Sequence, residues 1–341
     1  MLWLTWRQFR AQAIVASAAL VAVAIALAVT GPHLASLFDS NGLATCRAGC
    51  GVDASNFINQ VKGSGIELVF YGGILLMYAV PALIGLFWGA PLVTRELESG
   101  TFRLAWNQSV TRTRWIAVKL GLIGLAAMAT TGLLSLMISL WSGPLYQAAQ
   151  KAGGSDELSI SRFAPPLFGA NGVAPIGYAA FAFVLGVTVG VLLRRLVPAM
   201  AITLALFAAV QLLMISAVRP HLIPASSAIE PLSAVTFNGE GETDNGHLLL
   251  DLGTINRMPG AWIVNARPVN SAGQLAATVP QPCASMTNTW LQCLASHGVR
   301  IQVSYQPTSR YWAFQWLETG TFVTLAAGLG ALCYSRVRRL T

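Results

Sequence analysis

Six stretches of nearly unbroken apolar residues, separated by polar intervals of very unequal length, set the pattern of this chain. Residues 11–30 are almost all Ala, Val, Ile and Leu, whereas 66–93 add Phe70, Tyr71, Tyr78, Phe87 and Trp88. Residues 115–141 are bracketed by tryptophans, and 173–193, 198–218 and 311–334 complete the set. Each is about 20 residues or longer, enough for a helix to cross a hydrocarbon core about 30 Å thick. Ahead of them, residues 1–10 interleave Leu2, Trp3, Trp6 and Phe9 with Arg7, Gln8 and Arg10. That spacing predicts a short amphipathic helix lying in the headgroup layer. Residues 11–30 also follow a basic start and carry Ala26-Leu27-Ala28, as a cleavable leader does. The apolar run exceeds the roughly 7–15 residues of a leader, so it reads as a retained first span.

Proline and glycine punctuate the pattern. Gly31-Pro32 is expected to end the first span, and Pro81 to kink the second by removing a backbone donor. Pro198, just beyond Arg194-Arg195, is expected to open the fifth helix at its first position after a tight turn. Intervals 32–65 and 145–172 read as loops, and 219–310 is the one sizeable polar segment. There Val299, Ile301, Val303 and Tyr305 alternate with Arg300, Gln302 and Ser304, the period of a half-buried strand. The predicted fold is therefore an all-α integral membrane protein of six transmembrane helices. It has an interfacial helix at 1–10, five spans over 11–218, a small ordered domain at 219–310, and a sixth span with a basic tail at 311–341.

Composition narrows the class. The 341 residues are 55% hydrophobic and 10% charged, with a mean hydropathy of +0.60, against about 25% charged for a soluble domain. A net charge of +8 raises the question of nucleic acid, but no continuous basic stripe tracks phosphates, so no nucleic-acid partner is expected. The charges are sorted by interval instead. Both termini, the interval 94–114 with Lys119 just beyond it, and the Arg194-Arg195 turn hold 12 of the 21 Lys and Arg but only Glu96 and Glu98 of the 13 acids. The positive-inside rule then puts both termini in the cytoplasm of a multi-pass plasma-membrane protein, with 219–310 outside. Cys46, Cys50, Cys283 and Cys293 fall in the outer intervals, where disulfides persist. Four cysteines allow three connectivities, of which the two local pairs are the simplest. No histidine is read at a ligand-like spacing from either pair, so no metal site is expected.

Catalytic signatures are absent. No G-x-x-x-x-G-K-[ST] loop, H-E-x-x-H pair or G-x-S-x-G elbow occurs, so the chain reads as no enzyme and binds no cofactor of its own. Glu318 stands out as an acid inside a predicted span, near its outer end.

The interval 94–114 carries the most specific pattern. Arg95-Glu96-Leu97-Glu98-Ser99-Gly100-Thr101, then Thr111-Arg112 leading into an apolar helix, resembles the first cytoplasmic loop of ABC-2 type permeases in a bacterial, actinobacterial-like form. The likeness extends to six spans with a long outer segment before the last. Ser109 stands where the family often has Pro, which leaves the start of the third helix open. The resemblance implies the membrane subunit of an ATP-driven exporter, with ATP and Mg bound by a separate ATPase subunit present in two copies. It implies coupling to that ATPase through Arg95, Glu96, Glu98, Gly100, Thr101, Arg103, Arg112 and Arg114, with Gly100 breaking the helix, Thr101 capping the next and Lys119 snorkelling to the interface. It further implies a homodimer with a second permease copy, set in membrane lipid. A cavity for apolar or amphipathic cargo would be lined by Phe70, Tyr71, Tyr78 and Phe87 on the second span and Phe207, Gln211 and Met214 on the fifth. The alternative is a non-transporting sensor or anchor whose outer domain binds a ligand.

Overall fold

The computed structural model describes residues 2–99, 112–152, 161–237, 242–244, 247–249, 252–255, 258, 260–276, 283 and 290–338. Among them, six helices are long and apolar enough to cross a membrane: Phe9–Ser40, Ile66–Glu96, Arg114–Trp141, Ala174–Leu193, Leu196–His221 and Thr308–Arg338. They alternate in direction. Phe9 of the first span, Trp88 of the second, Trp115 of the third and Val337 of the sixth share one apolar cluster, at the end that holds both termini. Leu34 and Phe38 meet Phe57, Phe70, Trp141 and Tyr146 at the opposite end. The fourth span is the hub, packed against the second, third, fifth and sixth and buried on nearly every face.

Several elements run further than the sequence predicts. The amphipathic start is the first turns of one helix, Leu2–Ser40, which continues through Gly31 and Pro32. Beside the proline, Trp141 Nε1 donates to Thr30 Oγ1 at 3.0 Å and ties the helix to the third span. At ~1.5 Å per residue this helix is roughly 58 Å long, so it overshoots the bilayer core at its ends. The interval after it is largely helical as well, with Gly51–Gly63 packing Ala54, Phe57, Ile58 and Val61 inward. The next interval likewise holds helices Gly143–Lys151 and Pro165–Phe168. Pro81 sits inside the continuous helix Ile66–Ile84, and the departure from α geometry comes one turn later, in the π turn Gly85–Gly89. Arg194 ends the fourth span in the left-handed region at φ 54°, its N–H donating to Gly190 O at 3.0 Å. The fifth helix then starts at Leu196, two residues before Pro198.

The segment between the fifth and sixth spans contains strands β1 (Ser226–Pro231), β2 (Val235–Phe237), β3 (Glu242–Asp244), β4 (His247–Leu249), β5 (Leu252–Ile255), β6 (Trp262–Val269) and β7 (Arg300–Gln306). An antiparallel sheet is ordered β1-β7-β6, and the alternation read from residues 299–305 places Ile301 and Val303 in its core with Leu232 and Leu294. The sheet is tied to the bundle. Phe163 stacks on Trp262 and meets Tyr311 and Phe314 edge-on, and Gln306 donates to Ile223 O at 2.7 Å.

Candidate functional site

The second span does not stop at the π turn; it passes into helix Ala90–Ser99, which holds Arg95, Glu96 and Glu98. Its footing is a seam of small residues. Gly85, Gly89, Ala90 and Thr94 face Ala182, Gly186, Gly190 and the Phe183 backbone of the fourth span, and the small residues at four-residue spacing let two membrane helices approach backbone to backbone. A Cβ at Gly89 would stand 2.5 Å from Phe183 O, and one at Gly186 would fall on Gly85 O and 2.8 Å from Ala90 N. Thr94 is fully buried, and its hydroxyl donates to Ala90 O at 2.6 Å. The π turn Gly85–Gly89 lies within this seam. Inside it, the Phe87 carbonyl accepts a hydrogen bond from Gln12 Nε2 at 2.8 Å, so the first span is fastened to the same place.

An ion pair closes the base of the loop. Lys119 Nζ lies 2.5 Å from Glu96 Oε1 and 4.5 Å from the centre of the Trp115 ring. Lys119 was expected to reach the headgroups; it is buried instead, because Glu96 supplies an anion and Trp115 a π face within reach. The pair joins the outgoing helix to the incoming third span across 23 positions. Arg95, Glu98 and Arg114 are exposed around it. Gly100, Thr101, Arg103, Ser109 and Thr111, with the helix break and caps expected there, lie outside the described residues, as does the Arg112 side chain, though the third helix begins at Arg112.

The seven residues expected to line one cavity are dispersed. Phe70 packs at 6.1 Å on Tyr146 at the end opposite the termini. Tyr78 donates to Pro166 O at 2.9 Å, and Tyr71 is exposed. Phe87 faces outward into a cleft against the first span. Phe207 and Met214 are buried in the central cluster, with Phe207 stacked on Phe181 of the fourth span. Gln211 is buried beside them, and neither end of its amide has a hydrogen-bond partner among the described residues.

A second polar site was only half visible in the sequence. Glu318 is fully buried and accepts two hydrogen bonds from Arg219, Nε to Oε2 and Nη2 to Oε1, both 2.8 Å. Tyr178 of the fourth span donates to the same carboxylate. Arg219 also donates to Pro165 O at 3.0 Å and lies 4.5 Å over the Phe168 ring. Expected as the first residue of the polar segment, Arg219 is instead part of the fifth span's closing turns, which change from α to π at Met214–Val218 and then to 3-10. One turn earlier on the sixth span, Gln315 accepts from the backbone N–H groups of Val173 and Ala174 and donates to Phe168 O. It thereby caps the fourth helix from outside. Beyond the spans, burial pushes the Tyr146 phenol up, so it stays neutral while accepting from Asn171 Nδ2 at 2.7 Å.

Cys46 and Cys50 stand with their sulfurs 2.03 Å apart, and Cys283 and Cys293 1.94 Å apart. His297 sits four residues after Cys293, a spacing the sequence reading passed over, with Nδ1 3.8 and 3.9 Å from the two sulfurs. That nitrogen also lies 2.9 Å from Cys293 O, so its proton points at a carbonyl, and the sulfurs are held by each other.

Comparison with known proteins returns one family. A model described as ABC-2 membrane transporter related matches residues 17–219, from the first span to the buried arginine and including the seam and the loop. No curated protein and no solved structure matches the chain.

Proposed function

The chain belongs to the ABC-2 membrane transporter related family, and from that premise we propose that it is the permease of an ATP-binding-cassette exporter, coupled to its ATPase through residues 94–114. Membership makes it an ABC transporter component that works with an ATPase subunit. The finer reading is that the helix Ala90–Ser99 and the third span grip the ATPase between them, with both termini and this loop in the cytoplasm and the β-sheet segment outside. Two permease copies and two ATPase copies would form the working unit. The observation that carries this reading is the double anchorage of Glu96. Its helix is seated on the fourth span through glycines, and its carboxylate is bound to Lys119 of the third. A push on the loop is then transmitted to three spans as one body rather than absorbed by a slack connection. Glu98, exposed beside Arg95 and Arg114, would add a charge-assisted contact with the partner. Cargo would be apolar or amphipathic and would move outward.

The test is purification of the full-length protein from its own membrane in mild detergent. A P-loop ATPase is expected to accompany it in stoichiometric amount. Glu98→Ala is expected to lower ATPase retention about tenfold or more, in line with the loss of a charge-assisted contact of about 1.5–3 kcal/mol, with membrane level unchanged. Reproducible arrival of the chain without an ATPase would instead favour the sensor or anchor.

A further inference from the structure

The first span is fastened at two levels and stands away from the bundle between them. Near the termini, Phe9 meets Trp88 edge-on at 4.8 Å, and Gln12 holds the Phe87 carbonyl. At the other end, Thr30 bonds Trp141 and Leu34 is fully buried. Between these points the helix is so loosely packed that its most apolar 18-residue window contains no buried residue. The gap is a cleft of about 430 Å³ whose walls include Val15, Ala19, Leu76, Val80, Leu83 and Leu134. Polar groups are nearly absent from it, apart from Gln12 and Thr130. At its terminal end, across Gln12 and Trp88, it adjoins a second hollow of about 220 Å³ bordered by Arg95 and Glu96.

We infer that this cleft binds one acyl chain of an anionic membrane phospholipid, with the headgroup at the Arg95 hollow. The whole cleft lies along membrane-spanning residues, where what fills an apolar gap is hydrocarbon rather than water. A helix from a second copy is the competing occupant, and the cross-linking arm of the test below separates the two. An acyl chain is thin and flexible enough to enter. The hollow at its end fixes which lipid. Glu96 is paired with Lys119, and Arg7 and Arg10 lie on the turns before Gln12 with Arg95 opposite, so these three cations outnumber Glu98, the other acid of the helix Ala90–Ser99. Basic residues at a membrane surface draw anionic headgroups. The bound headgroup rests against the helix Ala90–Ser99, so lipid composition bears on the element that carries the coupling residues. The inference requires only that the chain spans a membrane, and it is independent of the ATPase reading.

Native mass spectrometry on the full chain in mild detergent, titrated with phosphatidylglycerol or phosphatidylcholine of equal chain length, tests it. One phosphatidylglycerol per chain is expected to be retained in preference to phosphatidylcholine by fivefold or more. Ala19→Trp fills the cleft from an exposed position without touching the core. It is expected to reduce retention of the lipid at least tenfold, with the melting temperature in lipid-free detergent unchanged. Arg95→Gln is expected to erase about fivefold of the preference, the contribution of one basic residue near an anionic surface. Equal retention by Ala19→Trp and the unmodified chain overturns the site, and equal retention of the two lipids overturns the headgroup assignment. Quantitative cross-linking of Val15→Cys chains to one another in the membrane would place a second copy in the cleft and overturn the occupant.

Discussion

Gly186→Ala is expected to destabilise the protein by about 3 kcal/mol or more, although alanine is the better helix former. Propensity alone argues for a gain of about 1 kcal/mol, since glycine in a helix interior is that much less favourable than alanine. Packing opposes it and wins. The added methyl group would meet the Gly85 carbonyl oxygen, the Ala90 nitrogen at 2.8 Å and the Gly89 carbonyl carbon at 3.1 Å, all of them backbone atoms of the second span. No rotamer change relieves a clash between two backbones, so the helices must move apart along the whole seam, with loss of the contacts at Gly89 and Gly190. Overpacking ordinarily costs about 1–3 kcal/mol, and a rigid seam falls at the upper end of that range or beyond. Gly121→Ala is the matched control. It lies in the third span with nothing within 4 Å of its Cβ, so propensity should act alone and stability should hold or rise slightly. Thermal unfolding in one detergent, followed by tryptophan fluorescence, compares the two. Equal melting temperatures would mean that the second and fourth spans do not meet at Gly186.

That contrast also shows what could be read from the sequence. The six apolar runs announced themselves because a bilayer leaves the backbone few alternatives to a helix. Residues 299–305 gave away β7 through their period of two. The pattern Ala182-x-x-x-Gly186-x-x-x-Gly190 was equally present, but four-residue spacing of small residues names no partner, and Gly85 lies about a hundred residues away. Lys119 reads as an interfacial lysine until Glu96 is seen beside it. The same limit applies to the aromatic residues read as lining a cavity. Aromatic side chains on an apolar helix face lipid, a neighbouring helix or a cleft, and composition does not choose among these. Phe207 took the second, Phe87 the third. The continuous helix through Pro32 was hidden because proline ends helices in water more reliably than it does in a membrane. Glu318 was conspicuous as a lone acid in a span. Its counter-ion was not, because the chain around Arg219 reads as the start of a polar segment, and only the closing turns of the fifth span carry that guanidinium inward.

Glu318→Ala should therefore be the more damaging of the charge changes, because it strands Arg219 in an apolar site. Removing one member of a buried pair typically costs about 3–5 kcal/mol, most of it the penalty of the charge left behind. Here the carboxylate takes three of its neighbours' donors, two from Arg219 and one from Tyr178, and it joins the fourth, fifth and sixth spans at one point. Arg219→Met is expected to be nearly as harmful, since it leaves the carboxylate with Tyr178 alone. The pair Arg219→Met with Glu318→Leu is expected to recover most of the loss, because an apolar pair of similar volume needs no counter-charge. Unfolding of the unmodified protein, Arg219→Met, Glu318→Leu and the pair forms a double-mutant cycle, and a coupling energy of about 2 kcal/mol or more is expected for groups in direct contact. Additive losses would mean that the two side chains do not meet. The recovered double variant then separates packing from mechanism. If it folds and still drives transport, the ion pair serves only to join three helix ends. If it folds and transport is lost, the pair must break or re-form as the spans move, since its static role has already been replaced.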